Sequence, residues 1–149
     1  MLTVRLSGVT LIEGVDYRVS YGTNTAVGKG SVTIKPGSGS LFRSSKKVTF
    51  KILPTPTAIT STAVGVKAMT AAWIAVPAAE KISKYQVSIR RVGARSWATK
   101  TVKRSTTSLT ITKQKSAAQY DIRVRSYRTV SGKRYYSAWS PTARTAPVG

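Results

Sequence analysis

Tyr120-Asp121-Ile122-Arg123-Val124-Arg125-Ser126-Tyr127 alternates apolar and polar side chains, and this two-residue period decides the fold. Successive side chains of a β-strand point to opposite faces, so Tyr120, Ile122 and Val124 form an apolar row while Asp121, Arg123 and Arg125 occupy the other face. Tyr85-Gln86-Val87-Ser88-Ile89-Arg90 repeats the pattern. So do Tyr17-Arg18-Val19-Ser20-Tyr21, Ser31-Val32-Thr33-Ile34-Lys35 and Lys47-Val48-Thr49-Phe50-Lys51-Ile52. Leu109 with Ile111, and Leu2 with Val4 and Leu6, fit the same period, and in the less regular stretch Val66 to Val76 Met69, Ala71 and Trp73 share a face. Turns are expected at Glu13-Gly14, Gly22-Thr23-Asn24, Gly28-Lys29-Gly30, Pro36-Gly37-Ser38-Gly39-Ser40 and Thr129-Val130-Ser131-Gly132-Lys133, the last leading into Tyr135-Tyr136 and Ala138-Trp139-Ser140. No stretch of about ten residues carries a stripe of helical period. The sequence predicts an all-β, antiparallel protein with essentially no helix.

Composition narrows the chemistry. A chain of 149 residues has room for one ordinary domain or two small ones. Its 25 Lys+Arg against 4 Asp+Glu give a net charge of +21, yet 41% of residues are hydrophobic, enough for a packed core. Cys and His are absent, which removes thiol nucleophiles, Ser-His and Cys-His pairs, and the usual zinc, copper and haem ligands. The carboxylates are Glu13, Asp16, Glu80 and Asp121, too few for a metal cage and poor material for acid–base pairs. No enzyme, cofactor or metal site is expected. No run approaches the roughly 18 apolar residues of a membrane span. Met1 to Ser7 lacks a signal-peptide layout, and no anchor tail follows Gly149. The same features fit a fragment of a longer exported protein, since lack of Cys excludes only a disulfide-stapled secreted domain.

Leu53-Pro54-Thr55-Pro56-Thr57 marks a boundary, because two closely spaced prolines cannot donate ladder hydrogen bonds and favour an extended, stiff connector. The expected division is a small β repeat over 1–53, a Pro-rich linker over 54–57 and a sandwich over 58–149. Residues 1–53 hold eight basic and two acidic side chains, net +6, and residues 54–149 hold seventeen and two, net +15.

Residues 57 to about 148 resemble a fibronectin type III domain of the kind found in bacterial surface and secreted proteins. The resemblance rests on Trp73, Tyr85-Gln86-Val87-Ser88-Ile89, Leu109 before Tyr120-Asp121-Ile122-Arg123-Val124-Arg125-Ser126-Tyr127, and Val130 to Ser140 as the final hairpin. It implies a seven-strand, two-sheet sandwich in which Tyr120 is a structural tyrosine corner, its hydroxyl bonding backbone a few residues upstream. Residues 2–53 resemble an Ig-like repeat of Gram-positive surface proteins through Leu11-Ile12-Glu13-Gly14-Val15-Asp16-Tyr17, Val19-Ser20-Tyr21, Asn24, Gly28, Ser31-Val32-Thr33-Ile34 and Val48-Thr49-Phe50-Lys51-Ile52. The family's opening strand has no counterpart here and Pro36-Gly37-Ser38 departs from its glycine-rich turn, so the repeat is expected to be truncated at its N-terminus or, alternatively, to lean on the second domain across the Pro linker. Together the resemblances imply two small antiparallel β-sandwich domains, Ig-like and fibronectin type III, in tandem.

Most candidate chemistry has a plainer reading. Asp16 is expected to bond local backbone N–H groups and Glu13 to be solvated. Asn24, the one asparagine, is read as a turn residue rather than an isopeptide acceptor. Gly28-Lys29-Gly30 lacks the length and the Ser/Thr of a phosphate loop and is read as a turn. Trp73 is assigned to the core. For Trp97 and Trp139 half-buried packing and an exposed ligand platform both remain open.

The basic excess carries the functional expectation. Arg90, Arg123 and Arg125 are expected on one wet sheet face, contributing nothing to the core, with Lys84 and Tyr127 along the same rows and Lys133 and Arg134 at the hairpin tip. Such a stripe would attract a polyanion, such as teichoic acid, an acidic glycan, anionic lipid or nucleic acid. The plainer reading is that basic residues keep a wet face soluble and block edge pairing. The expected function is a non-catalytic structural or adhesive segment of a bacterial cell-surface or secreted protein, monomeric, extracellular, and flanked by further domains of its parent. The alternative is an accessory substrate- or wall-binding module of a secreted hydrolase. Nucleic-acid binding ranks last, since neither a recognition helix, a zinc finger nor an aromatic RNA-binding signature is present.

Overall fold

The computed structural model describes residues 3–40 and 42–149. Met1, Leu2 and Leu41 lie outside the described residues, and with them the Leu2 end of the expected N-terminal row. The chain divides into two compact units, Met1–Ile52 and Leu53–Gly149.

In the first unit, β1 (Arg5–Leu6) and β2 (Val9–Thr10) form a short ribbon across Ser7 and Gly8. Both turn residues have positive φ, at 49° and 85°, as the tight hairpin turn that matches strand twist requires. β3 (Tyr17–Tyr21), β4 (Gly28–Pro36) and β5 (Lys46–Ile52) form an antiparallel sheet in that order. Tyr17, Val27 and Val32 are buried. The Asp16 carboxylate accepts the Ile12 N–H at 2.8 Å. Asn24 joins Ser31 as a backbone mimic, its amide donating to the Ser31 carbonyl at 3.0 Å and its oxygen accepting the Ser31 N–H at 2.9 Å.

Gly28-Lys29-Gly30 is no turn. It opens β4 and pairs with Ile52, Lys51 and Phe50. Glycine suits the site because the Phe50 ring crosses the backbone of Gly30 so closely that a Cβ there would lie 2.5 Å from Cε2 and the exposed ring would have to swing aside. Glycine at 37 has a similar cause, since a Cβ there would meet the Val15 carbonyl oxygen at 2.1 Å.

The second unit is a two-sheet sandwich. β6 (Ile59–Gly65), β7 (Ala68–Trp73) and β10 (Ser108–Thr112) make one sheet, ordered β10-β7-β6. β8 (Lys84–Arg91), β9 (Ala98–Lys103), β11 (Tyr120–Val130) and β12 (Lys133–Tyr136) make the other, ordered β12-β11-β8-β9, with the short β13 (Ala143–Arg144) also on β11. A single 3-10 turn, Ala78–Glu80, is the helical content among the described residues. Met69, Trp73, Tyr85, Val87, Ile89, Ile111, Tyr120, Ile122 and Val124 share one core, with Leu109 partly buried against it. Trp73 and Tyr85 meet edge-on at 5.7 Å, and the Tyr85 hydroxyl accepts the buried Val76 N–H at 2.8 Å.

β6 and β9 are edge strands rich in Thr and Ala, whose weak alternation hid them in the sequence. Residues 54–57, expected as a connector, are held by the second unit. Thr55 donates to the Glu80 carboxylate through both its N–H and its hydroxyl, and Thr57 donates its hydroxyl to the Ile74 carbonyl.

Candidate functional site

β8 and β11 run side by side, with Arg90 opposite Asp121, Ser88 opposite Arg123 and Gln86 opposite Arg125. The period-2 rule therefore does bring Arg90, Arg123 and Arg125 to one outer face. That face is not bare. Trp97, in the connection from β8 to β9, and Trp139, between β12 and β13, fold back over it, and Tyr136 joins them from β12.

A stack of cations and rings results. The Arg90 and Arg123 guanidinium carbons lie 4.6 Å and 4.2 Å from the Trp97 centroid. Arg123 and Arg125 lie 4.5 Å and 4.3 Å from that of Trp139. Arg125 is also 4.1 Å from Tyr136, which tilts against Tyr127 at 5.3 Å, and Arg134 covers Tyr127 at 5.1 Å. The expectation of a wet, bare stripe is thereby corrected, although none of the three joins the core: Arg90, Arg123 and Arg125 are half-buried and packed. The physical reason is that planar guanidinium groups stack on the negative faces of aromatic rings while their aliphatic stems cover apolar surface. For Trp97 and Trp139, half-buried packing is the outcome. Lys84, exposed and opposite Lys103, and Lys133, exposed at the hairpin tip, stand outside the stack.

The stack depends on how the last strand is built. β11 and β12 are joined by Ser131 and Gly132, both at positive φ. Beyond Tyr136 the strand is interrupted, yet its bonding to β11 continues through serine hydroxyls. The Ser126 N–H donates to Ser137 Oγ at 3.0 Å, and the Ser137 N–H returns to the Ser126 carbonyl at 2.9 Å. Ser140 does the same with Val124, at 3.0 and 2.8 Å. A hydroxyl replaces the carbonyl of a regular ladder, so residues 137–140 leave strand geometry without orphaning β11, and Trp139 turns onto the arginines.

Asp121 is the charged centre that alternation placed on the wet face. Its carboxylate is 3% exposed and binds Arg90 at 3.2 Å and Arg144 at 2.8 Å. The hydrogen bond from Arg144 holds the carboxyl below its usual value, against the opposing effect of burial, with Arg90 adding to the lowering. Repulsion within the arginine row is thus offset by Asp121 at one end and by aromatic faces along the rest, with no bound anion required. Burial depresses the Arg125 guanidinium, and the neighbouring charge of Arg123 works in the same direction. Arg144 was not legible in the sequence; its two-residue strand carries no period. Asp121 had a signal, being one of four carboxylates and opposite Arg90 once β8 and β11 are paired.

Tyr120 lies on the core side, 8% exposed, and its hydroxyl accepts the Lys115 N–H at 3.0 Å, five residues upstream. Tyr120→Phe keeps the ring and orphans that N–H, so a loss of about 1 kcal/mol is expected, at the lower end because Lys115 is exposed and water can replace the hydroxyl. A thermal melt of the variant checks it, an unchanged Tm counting against a stabilising bond.

No group of three or more His, Cys, Asp or Glu gathers among the described residues. No helix among them is long and apolar enough to cross a membrane.

Residues 54–143 match the family described as fibronectin type III domain. Among 313 matching solved chains, one titled "Myokine structure" aligns with a TM-score of 0.53 at 14% identity, covering 64% of this chain and 99% of that one. At that identity the likeness concerns fold alone. No curated protein matches the chain.

Proposed function

Since the chain belongs to the fibronectin type III family through residues 54–143, we propose that it is a non-catalytic structural and adhesive segment of a bacterial cell-surface or secreted protein, working outside the cell and attaching to anionic polymers of the wall or matrix. In this reading residues 2–53 are an Ig-like repeat that continues a row of β modules in the parent protein. The observation that carries the adhesive part is charge accounting. The chain holds 25 basic side chains, and among the described residues only Arg90 and Arg144 meet a carboxylate, both on Asp121. A surface so unbalanced draws polyanions over roughly a Debye length, about 8 Å at physiological salt.

The test is retention of the full chain on immobilised heparin and on poly(glycerol phosphate) at low and at high salt. Strong retention at low salt, falling steeply as salt rises, is the expected result. Lys84→Gln with Lys133→Gln removes two exposed cations outside the stack, so it should lower the log–log salt slope by up to about 2 and leave Tm unchanged. Absence of retention at low salt would reduce the segment to a spacer.

A further inference from the structure

The stacked arginines differ from ordinary surface cations in one respect: they cannot move far. Arg123 lies over two rings, those of Trp97 and Trp139, and Arg125 over two, those of Trp139 and Tyr136. With their faces taken by rings, what each guanidinium has left for a ligand is the in-plane N–H edge. Arg125 uses Nε on the Gln86 side-chain oxygen at 2.9 Å, and Arg123 Nε is buried. Neither terminal pair of N–H groups meets a carboxylate. The two arginines stand on alternate residues of one strand, which sets their Cα atoms about 7 Å apart, and both guanidinium groups rest on the Trp139 ring.

We infer that Arg123 and Arg125 form a preorganised two-fork receptor for a linear phosphodiester polymer of the glycerol phosphate type. This deepens the adhesive reading above and rests on it. A guanidinium edge pairs with two oxygens of one phosphate, a geometry that lysine cannot reproduce. Successive phosphates of a glycerol phosphate chain are six backbone bonds apart, about 7 Å when extended, as in two residues of polypeptide. Consecutive phosphates therefore fit consecutive forks. Nucleic acid has the same six-bond repeat, but single strands bind largely by stacking bases on open aromatic faces. Here Trp97 and Trp139 each already carry two guanidinium groups, and Tyr136 carries one and abuts Tyr127. A polymer without bases is the ligand this surface suits.

The experiment titrates the full chain with poly(glycerol phosphate), heparin and oligo-dT of matched charge, comparing wild type, Arg123→Lys and Arg125→Lys. Net charge is identical in all three proteins. The expected result is tightest binding to poly(glycerol phosphate), weakened about tenfold or more by either lysine. In the wild type, the Nε–Hε NMR signals of Arg123 and Arg125 should shift on titration while those of Arg91 and Arg95 stay in place. That measurement needs no variant to fold. Equal binding by the lysine variants, stationary Arg123 and Arg125 signals, or preference for heparin or oligo-dT would each overturn the two-fork receptor and leave general polyanion adhesion standing. Failure of every polymer to bind the wild type would overturn the adhesive reading itself, and the receptor with it.

Discussion

Replacing Arg90, Arg123 and Arg125 together by Ser should destabilise the second unit by about 3–5 kcal/mol, although none of the three reaches the core. Each guanidinium over a ring contributes about 0.5–2 kcal/mol depending on how far it is desolvated, and these sites are half-buried. The aliphatic stems also cover surface that serine leaves bare. Loss of Arg90 further leaves the buried Asp121 with Arg144 as its one cationic partner. For a domain of about 100 residues the sum corresponds to a fall in Tm on the order of 20 °C. Calorimetry of the full chain checks it. A triple variant melting with the wild type would mean that the stack is decoration, and the sequence-level view of a wet stripe would be right after all.

Asp121→Ala should cost about 2–3 kcal/mol, less than a fully buried ion pair because Arg90 and Arg144 are 34% and 55% exposed and water takes up part of their charge. The same carboxylate gives stability a pH signature. Its folded pKa is lowered, chiefly by Arg144, so the stabilisation is fully present above the unfolded value of about 3.9 and is lost as pH falls through the folded value. The wild type should therefore lose stability below about pH 4, whereas the alanine variant starts lower and loses less. With no histidine in the chain, both curves should be nearly flat between about pH 5 and 8. Parallel curves for the two proteins below pH 4 would show that another carboxylate governs acid unfolding.

What was readable in the sequence was parity, and what was not was coverage. Alternation in Tyr85–Ile89 and Tyr120–Val124 gives the core rows, because burial of one face imposes it at every second residue. The same rule puts Arg123 on the outer face and is silent about what lies above that face. Trp97 and Trp139 arrive from connections remote in sequence, and neither carries a local sign of its destination. Glycine misleads for a related reason. Gly28-Lys29-Gly30 has the composition of a turn, and only the approach of Phe50, twenty residues past Gly30, explains it as strand. The serines of Tyr136-Ser137-Ala138-Trp139-Ser140 read as ordinary strand polar residues, yet their hydroxyls do the work of carbonyls.

The serine interruption also bears on how the protein survives at high concentration. β12 is an outer strand of its sheet, and a straight outer strand offers a row of free N–H and C=O groups on which a second chain can add and a fibril can begin. Here the regular strand ends at Tyr136, and up to Ala143, where β13 resumes pairing, the backbone is outside strand geometry. An incoming strand would find too few consecutive groups in line to seed a lasting pair. The opposite border, β9, presents Lys100 and Lys103 instead, whose charges repel a copy of themselves. A broken border on one side and a charged one on the other disfavour edge-to-edge pairing with a second copy of the chain.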